Sequence, residues 1–180
     1  MPAPLKKKPK FIIVAGRTFS GKTTISKGLQ AQGYRYLSVS DTMKAMSPEK
    51  LTERENLGEY GKSLMDANDG EELYLELLGK MMAGAPVVLD GLRPLKLAER
   101  FKNELGDDLL IILCTARPDQ ETSRFNEIKA QKNETMSIAK IRALDKRFQV
   151  DDIADLPYVR LVSGTKPVES TIEEISQMWS

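Results

Sequence analysis

Five short apolar runs punctuate the chain: residues 11–15 (FIIVA), 35–39 (RYLSV), 86–89 (PVVL), 109–115 (LLIILCT) and 158–162 (YVRLV). Three of them are nearly continuous in apolar residues, the pattern of strands covered on both faces. Between the runs, apolar positions recur at helical spacing, as in Ile25 and Leu29 after the first run and Ile172, Ile175 and Met178 near the end. The alternation predicts β-α-β-(αα)-β-α-β-α-β-α, an α/β fold with a parallel sheet. The longer gaps, residues 41–85 and 116–157, predict helical insertions over one end of that sheet. No internal repeat and no Gly-, Ser- or Pro-rich linker divides the 180 residues, a length that suits one domain of roughly 100–200 residues.

Composition narrows the chemistry. With 41% hydrophobic and 29% charged residues and a formal net charge of +1, the chain carries enough apolar matter for a packed core. Its longest apolar run, residues 109–116, is far short of the roughly 18 residues of a membrane span. Lysines precede an apolar stretch at the N-terminus, but that stretch stops at Arg17 without a small-residue cleavage site, so the expected location is the cytoplasm. There is one cysteine, Cys114, and no histidine. An internal disulfide, a multi-cysteine metal site, a histidine proton shuttle and a Ser-His-Asp triad are all excluded. Chemistry has to run on carboxylates, lysines, arginines, hydroxyls and backbone amides.

Charge is unevenly spread. Residues 1–40 hold eight basic side chains and no acid, while the other 140 hold 19 basic and 26 acidic ones. A polyanion at that end fits this asymmetry. Lys6, Lys7, Lys8 and Lys10 belong to a Pro-containing leader, residues 1–10, expected as a flexible solvated tail. Without a broad basic surface and neighbouring aromatics, they argue against nucleic acid as the partner.

The most specific signal is residues 16–23, Gly-Arg-Thr-Phe-Ser-Gly-Lys-Thr, which match G-x-x-x-x-G-K-[ST] between a predicted strand and a predicted helix. A phosphate chain needs many donors converging on a small volume. Gly16 and Gly21 let the backbone curl with its N–H groups inward, and the helix N-terminus adds partial positive charge. Candidate ATP-binding residues are therefore Gly16, Thr18, Ser20, Gly21, Lys22, Thr23 and Thr24, with Lys22 on the β- and γ-phosphates and Thr23 on Mg2+. Asp90, at the end of the 86–89 run, is the candidate second holder of Mg2+. An aspartate there also suits the turn before the next helix.

These residues resemble a known family. Asp90-Gly91-Leu92-Arg93 is similar to the Asp-Gly-Arg signature of nucleoside monophosphate kinases, and Ser40-Asp41-Thr42-Met43-Lys44 to the segment after strand two of adenylate kinases. The segment from Thr115 through Phe125 resembles their strand-four exit, and residues 158–175 resemble their last strand, base-binding loop and helix. The short spacing before Arg93 is closest to an adenylate kinase-like and dephospho-CoA kinase-like branch. The resemblance implies a three-layer P-loop fold with five parallel strands ordered 2-3-1-4-5, built as a single kinase domain over residues 11–180. An acceptor-binding helical insertion at about 41–85 and a lid at about 117–147 are implied too, as is a small-molecule phosphate acceptor. Lys44 and Arg93 would hold the acceptor phosphate, and Arg124 would reach the transferring phosphoryl group. Two positions depart from the family: Lys44 replaces the usual arginine and forgoes its bidentate fork, and Ile128 stands where a second lid arginine is usual.

Asp41 separates two acceptor classes. A hydroxyl acceptor gains from a carboxylate that takes its proton, whereas a phosphate acceptor arrives ionised and needs cations such as Arg93. Asp41 also suits a helix N-cap, and Arg93 a solvated surface position. The leading expectation is phosphorylation of a (deoxy)nucleoside monophosphate by ATP. Phosphorylation of a hydroxyl of the dephospho-CoA type, and a non-kinase or nucleic-acid-associated NTPase, are the alternatives. Trp179 and Cys114 are expected in the core, and Glu71, Glu72 and Glu76 on a solvated helix face. The oligomeric state is open.

Overall fold

The central strand of the computed structural model, which describes residues 5, 7–49, 51–132, 134 and 136–179, is β1 (Phe11–Ala15). It pairs in parallel with β3 (Val87–Leu92) on one side and β4 (Leu109–Thr115) on the other. Outside these lie β2 (Arg35–Ser38) and β5 (Val159–Ser163), giving the order β2-β3-β1-β4-β5. Parallel pairing requires crossovers, and the intervening helices cover both faces.

Alternation along the buried strands divides the core. Ile12 and Val14 of β1 and Leu110, Ile112 and Cys114 of β4 face a layer formed by α1 (Lys22–Ala31) and α8 (Val168–Ser176). Phe11, Ile13, Leu109 and Ile111 face the opposite layer, which includes α2 (Val39–Met46), α3 (Arg54–Asn68), α4 (Glu71–Met82) and α5 (Leu95–Leu105). Because both faces are covered, all five residues of β1 are buried, which is why its sequence reads as an unbroken apolar run.

The insertion expected over residues 41–85 consists of three helices, not two. Ser47 is extended at the C-terminus of α2, and the left-handed pair Asp69 (φ 48°) and Gly70 (φ 76°) separates α3 from α4. The predicted second strand ends one residue early, because Ser38 caps α2 through its Oγ on the Asp41 amide, 3.2 Å. The segment expected to form a lid contains two helices, α6 (Pro118–Lys132) and α7 (Ile138–Arg147), the second capped by Ser137.

Part of the basic leader contacts the body. Lys7 and Lys10 pair with Asp108 at 2.5 and 3.2 Å, and the buried Pro9 accepts the Tyr34 hydroxyl at 2.9 Å. Residues 1–4 and Lys6 lie outside the described residues. Trp179 and Cys114 both join the α1–α8 side of the core, Trp179 half-buried and Cys114 fully. Glu71 and Glu76 of α4 pair with Arg100 and Lys80.

Candidate active site

The carboxyl ends of β1, β3 and β4 meet where residues 16–23 bridge β1 and α1, the expected ligand position in an open parallel sheet. The loop's tightness is set by its glycines. A Cβ on Gly16 (φ 144°) would lie 2.4 Å from the Cys114 carbonyl oxygen, and one on Gly21 (φ 103°) 2.7 Å from that of Gly164. Opposite, a Cβ on Gly164 itself would fall 1.7 Å from the Ser20 carbonyl oxygen. The loop after β5 therefore seals the back of the phosphate loop by backbone-to-backbone contact. The Cys114 thiol completes that seal by donating to the same Ser20 oxygen at 3.1 Å.

The donor set suits a phosphate chain. Helix α1 opens at Gly21 with no side-chain cap and no acidic residue in its first turn, leaving its N–H dipoles uncompensated. Ser20 is buried and its Oγ has no hydrogen-bond partner among the described residues. The Lys22 ammonium donates to the Arg17 carbonyl of the same loop. Burial and the charge of Arg93 pull its pKa down to about 8, against the opposing pull of Asp145 and Asp90.

Asp90 lies inside β3, not at its end, because that strand continues to Leu92 through a bulge. Val14 pairs with Asp90 and Ala15 with Leu92, so Gly91 (φ 92°) is the extra residue that re-aims the strand. The Asp90 carboxylate is buried beneath α1 and accepts three hydroxyls: Tyr36 at 2.7 Å, Thr23 at 2.9 Å and Ser26 at 3.1 Å. Thr23 and Asp90 are thus adjacent, a hydroxyl and a carboxylate of the kind that holds Mg2+ in phosphate-loop proteins. Burial and this bond raise the Tyr36 hydroxyl well above its ordinary pKa, so it remains a donor. Thr24 is exposed at the same helix start.

Arg93 follows the bulge and enters the same cluster. Its Nη1 approaches Asp145 Oδ1 at 3.3 Å and Thr18 Oγ1 at 3.5 Å, and its guanidinium lies 5.3 Å from the centre of the Phe148 ring. It lines a small pocket of about 20 Å³ with Val39, Met43, Met65, Leu73 and Phe148, between the α2–α3 insertion and the β3 exit. Arg124 of α6 also reaches the loop, donating to the carbonyls of Phe19 at 2.8 Å and Gly164 at 2.6 Å. Those contacts fasten the phosphate loop to the loop after β5, a backbone-bracing position.

The structure does not bring Asp41 and Lys44 into this cluster. Both side chains are exposed and pair with each other at 3.4 Å, and Asp41 sits in the first turn of α2 while Ser38 is the cap. Asp41 reaches the site through its charge alone, which joins that of Asp90 in raising the Tyr36 pKa. Of the later lid cations, Arg142 bonds the Pro118 carbonyl and Thr122 within the lid, and Arg147 pairs with Asp66 of α3.

Several contributors were not singled out in the sequence: Ser26 and Tyr36 on Asp90, Asp145 on Thr18 and Arg93, and Glu121 and Asp151 on Arg17. Asp151 forks Arg17 at 2.7 and 2.5 Å, while Glu121, almost fully buried, is 3.8 Å from it. Burial pushes the Glu121 carboxyl above its ordinary pKa despite Arg17 and Arg142. A cavity of about 560 Å³ opens beside this pair, lined by Arg17, Arg142, Asp145, Lys146 and Asp151. A signal for the buried lid carboxylates exists: Ile141, Leu144, Asp145 and Phe148 follow i, i+3, i+4, i+7 spacing, and Glu121 precedes Phe125 by one turn, so both acids lie on apolar faces.

Sheet order, helical layers and phosphate loop together define the fold of the P-loop kinases. Comparison with solved structures agrees: a gluconokinase from Sinorhizobium meliloti superposes with a TM-score of 0.63 at 14% identity, covering 96% of this chain and 93% of that one. Kti12 from Chaetomium thermophilum, crystallised with ADP-AlF3, gives 0.60 at 14% identity over 94% of this chain and 99% of that one. Shikimate kinase from Aquifex aeolicus gives 0.55 at 16% identity over 93% and 95%. In sequence, the chain is similar to the UPF0200 protein of Pyrobaculum aerophilum, 26% identical over 93% of this chain and 95% of the relative. It is also 31% identical to the UPF0200 protein of Saccharolobus solfataricus, over 66% of this chain and 64% of the relative. No family model matches the chain. Among the described residues, no helix is long and apolar enough to cross a membrane.

Proposed function

We propose that this chain is a Mg2+- and ATP-dependent phosphotransferase whose acceptor is a small (deoxy)nucleoside monophosphate. One observation carries the reading: Arg93, a largely buried cation, sits between the phosphate loop at Thr18 and an apolar-walled pocket under the helical insertion. A cation in that position costs desolvation, which lowers its pKa, and a phosphate-bearing acceptor offsets that cost by charge-assisted hydrogen bonding.

In the proposed reaction, an ionised acceptor oxygen attacks the γ-phosphorus, the bond to the β–γ bridging oxygen breaks, and ADP leaves with the electron pair. No acceptor proton has to be removed. Lys22 and the amides at the start of α1 would neutralise the phosphate oxygens, and Arg93 would orient the acceptor. Magnesium, held by Thr23 and by Asp90 through water, would add neutralisation of the donor phosphates. The lid helices would exclude water, without which ATP would be hydrolysed.

A hydroxyl acceptor is the second reading, in which the exposed Asp41 carboxylate would take the acceptor proton. The test supplies Mg-ATP with a panel of nucleoside monophosphates, nucleosides and dephospho-CoA and detects the phosphorylated product. A new phosphoanhydride on a monophosphate supports the first reading, and a phosphate ester on a hydroxyl supports the second. ADP release indifferent to every acceptor removes both and leaves an NTPase.

A further inference from the structure

Asp145 is a buried carboxylate in the lid with no part in the phosphate-transfer scheme above, and its partners belong to two separate parts of the chain, the phosphate loop and the exit of β3. It lies in the last turn of α7, its side chain only 5% exposed. Its Oδ2 accepts the Thr18 backbone amide at 2.9 Å, and its Oδ1 accepts the Thr18 hydroxyl at 3.2 Å and Arg93 Nη1 at 3.3 Å. A carboxylate is costly to bury unless it is paired, so a chain that needed only lid packing would place an apolar residue on this face. Two further contacts come from the same lid end. The Phe148 ring lies against the Arg93 guanidinium at 5.3 Å, and the Phe148 carbonyl accepts the Leu95 amide at 3.1 Å, just beyond Arg93. Arg93 is thereby gripped from the lid while the phosphate loop is gripped by the same carboxylate.

We propose that Asp145 is a positioning residue of the transfer site: from the lid it fixes Arg93 and the Thr18 end of the phosphate loop in one relation. The cation that orients the acceptor is then set only when lid and loop are docked. Its acceptor clause rests on the phosphotransferase reading; its geometric clause does not. Asparagine at this position keeps the volume and an oxygen for the Thr18 amide while removing the charge that holds Arg93, so it separates the two contacts.

The experiment compares wild type, Asp145→Asn, Arg93→Gln and the double variant with Mg-ATP and the monophosphate that performs best in the acceptor panel. Asp145→Asn is expected to raise the acceptor KM at least ten-fold and the Mg-ATP KM less than three-fold. Added to Arg93→Gln it should cost less than a further two-fold, because both act through one side chain. Multiplying losses in the double variant, or equal rises in both KM values, overturn the proposal. In ligand-free protein, solvent exchange of the Arg93 Nη1 protons, followed by NMR, should be at least ten-fold faster in Asp145→Asn. Unchanged exchange in that variant also overturns it. If Asp145→Asn does not fold, Thr18→Ala removes the hydroxyl shared by Asp145 and Arg93 and keeps the amide; it should speed the same exchange several-fold, and no change counts against the proposal. Faster Arg93 exchange in a protein that transfers phosphate to no acceptor would sink the kinase reading and leave the positioning role of Asp145 standing.

Discussion

Arg93 and Asp41 embody the choice between acceptor classes. If the acceptor carries a phosphate, Arg93→Ala removes a charge-assisted hydrogen bond of roughly 1.5–3 kcal/mol, about ten- to more than a hundred-fold in acceptor kcat/KM. Mg-ATP affinity should change little. Asp41→Asn should then be mild, since Ser38 already caps α2 and the exposed Asp41 carboxylate pairs with Lys44 on the same helix. Steady-state kinetics of the two variants decide it. A loss of about 10²–10⁴-fold in kcat for Asp41→Asn, with Arg93→Ala acting on KM alone, would mark a hydroxyl acceptor and a carboxylate base. Asp90 is tested at the same scale. Asp90→Asn keeps an oxygen for Tyr36 and Thr23 but loses the charge, so calorimetry should show Mg-ADP binding weakened far more than binding of metal-free ADP. Equal losses would make Asp90 a structural acceptor for three hydroxyls.

Among the elements, two glycines make opposite predictions. Gly164, between β5 and α8, has no room for a methyl: the added carbon would meet the Ser20 carbonyl oxygen at 1.7 Å and the Cys114 sulfur at 2.6 Å. Gly164→Ala should push the phosphate loop out of shape, abolish nucleotide binding and destabilise by about 1–3 kcal/mol or more. Gly79, inside α4, faces open space with nothing within 4 Å of an added Cβ. Gly79→Ala should stabilise by about 0.5–1 kcal/mol, a rise in Tm of roughly 2–4 °C per kcal/mol, and leave nucleotide binding alone. Thermal melts of both variants, with and without Mg-ADP, check the pair.

Element identity was more legible than element number. β1 and β4 showed themselves because both faces are buried and every position but the terminal Thr115 of β4 is apolar. The division of residues 41–85 into three helices was hidden in backbone conformation, since the left-handed Asp69–Gly70 break has no periodic signature. The phosphate loop was readable because its chemistry demands fixed residue types at fixed spacing. Asp145 and Glu121 belong to the site through tertiary contacts across more than 100 residues, and only their place on apolar helix faces hinted at burial.

For the whole molecule, the parallel sheet delivers the ends of β1, β3 and β4 to one edge, and the lid helices close over it with Arg124 and Asp145 bound directly to the loop. On the proposed reading, this arrangement would shield a donor phosphate from bulk water and leave Arg93 to the acceptor. On the same reading, residues 16–23 are the donor site of an acceptor-dependent kinase. The most direct measurement is ADP release from Mg-ATP, with and without acceptor, in wild type and Lys22→Ala. Among the described residues the Lys22 ammonium bonds the loop's own Arg17 carbonyl alone, so the variant should fold with a melting point close to wild type. ADP release should rise with acceptor in wild type and fall about 10²–10³-fold in Lys22→Ala, the scale of losing a preorganised charge donor. Acceptor-stimulated release persisting in Lys22→Ala within a few-fold of wild type would contradict that reading.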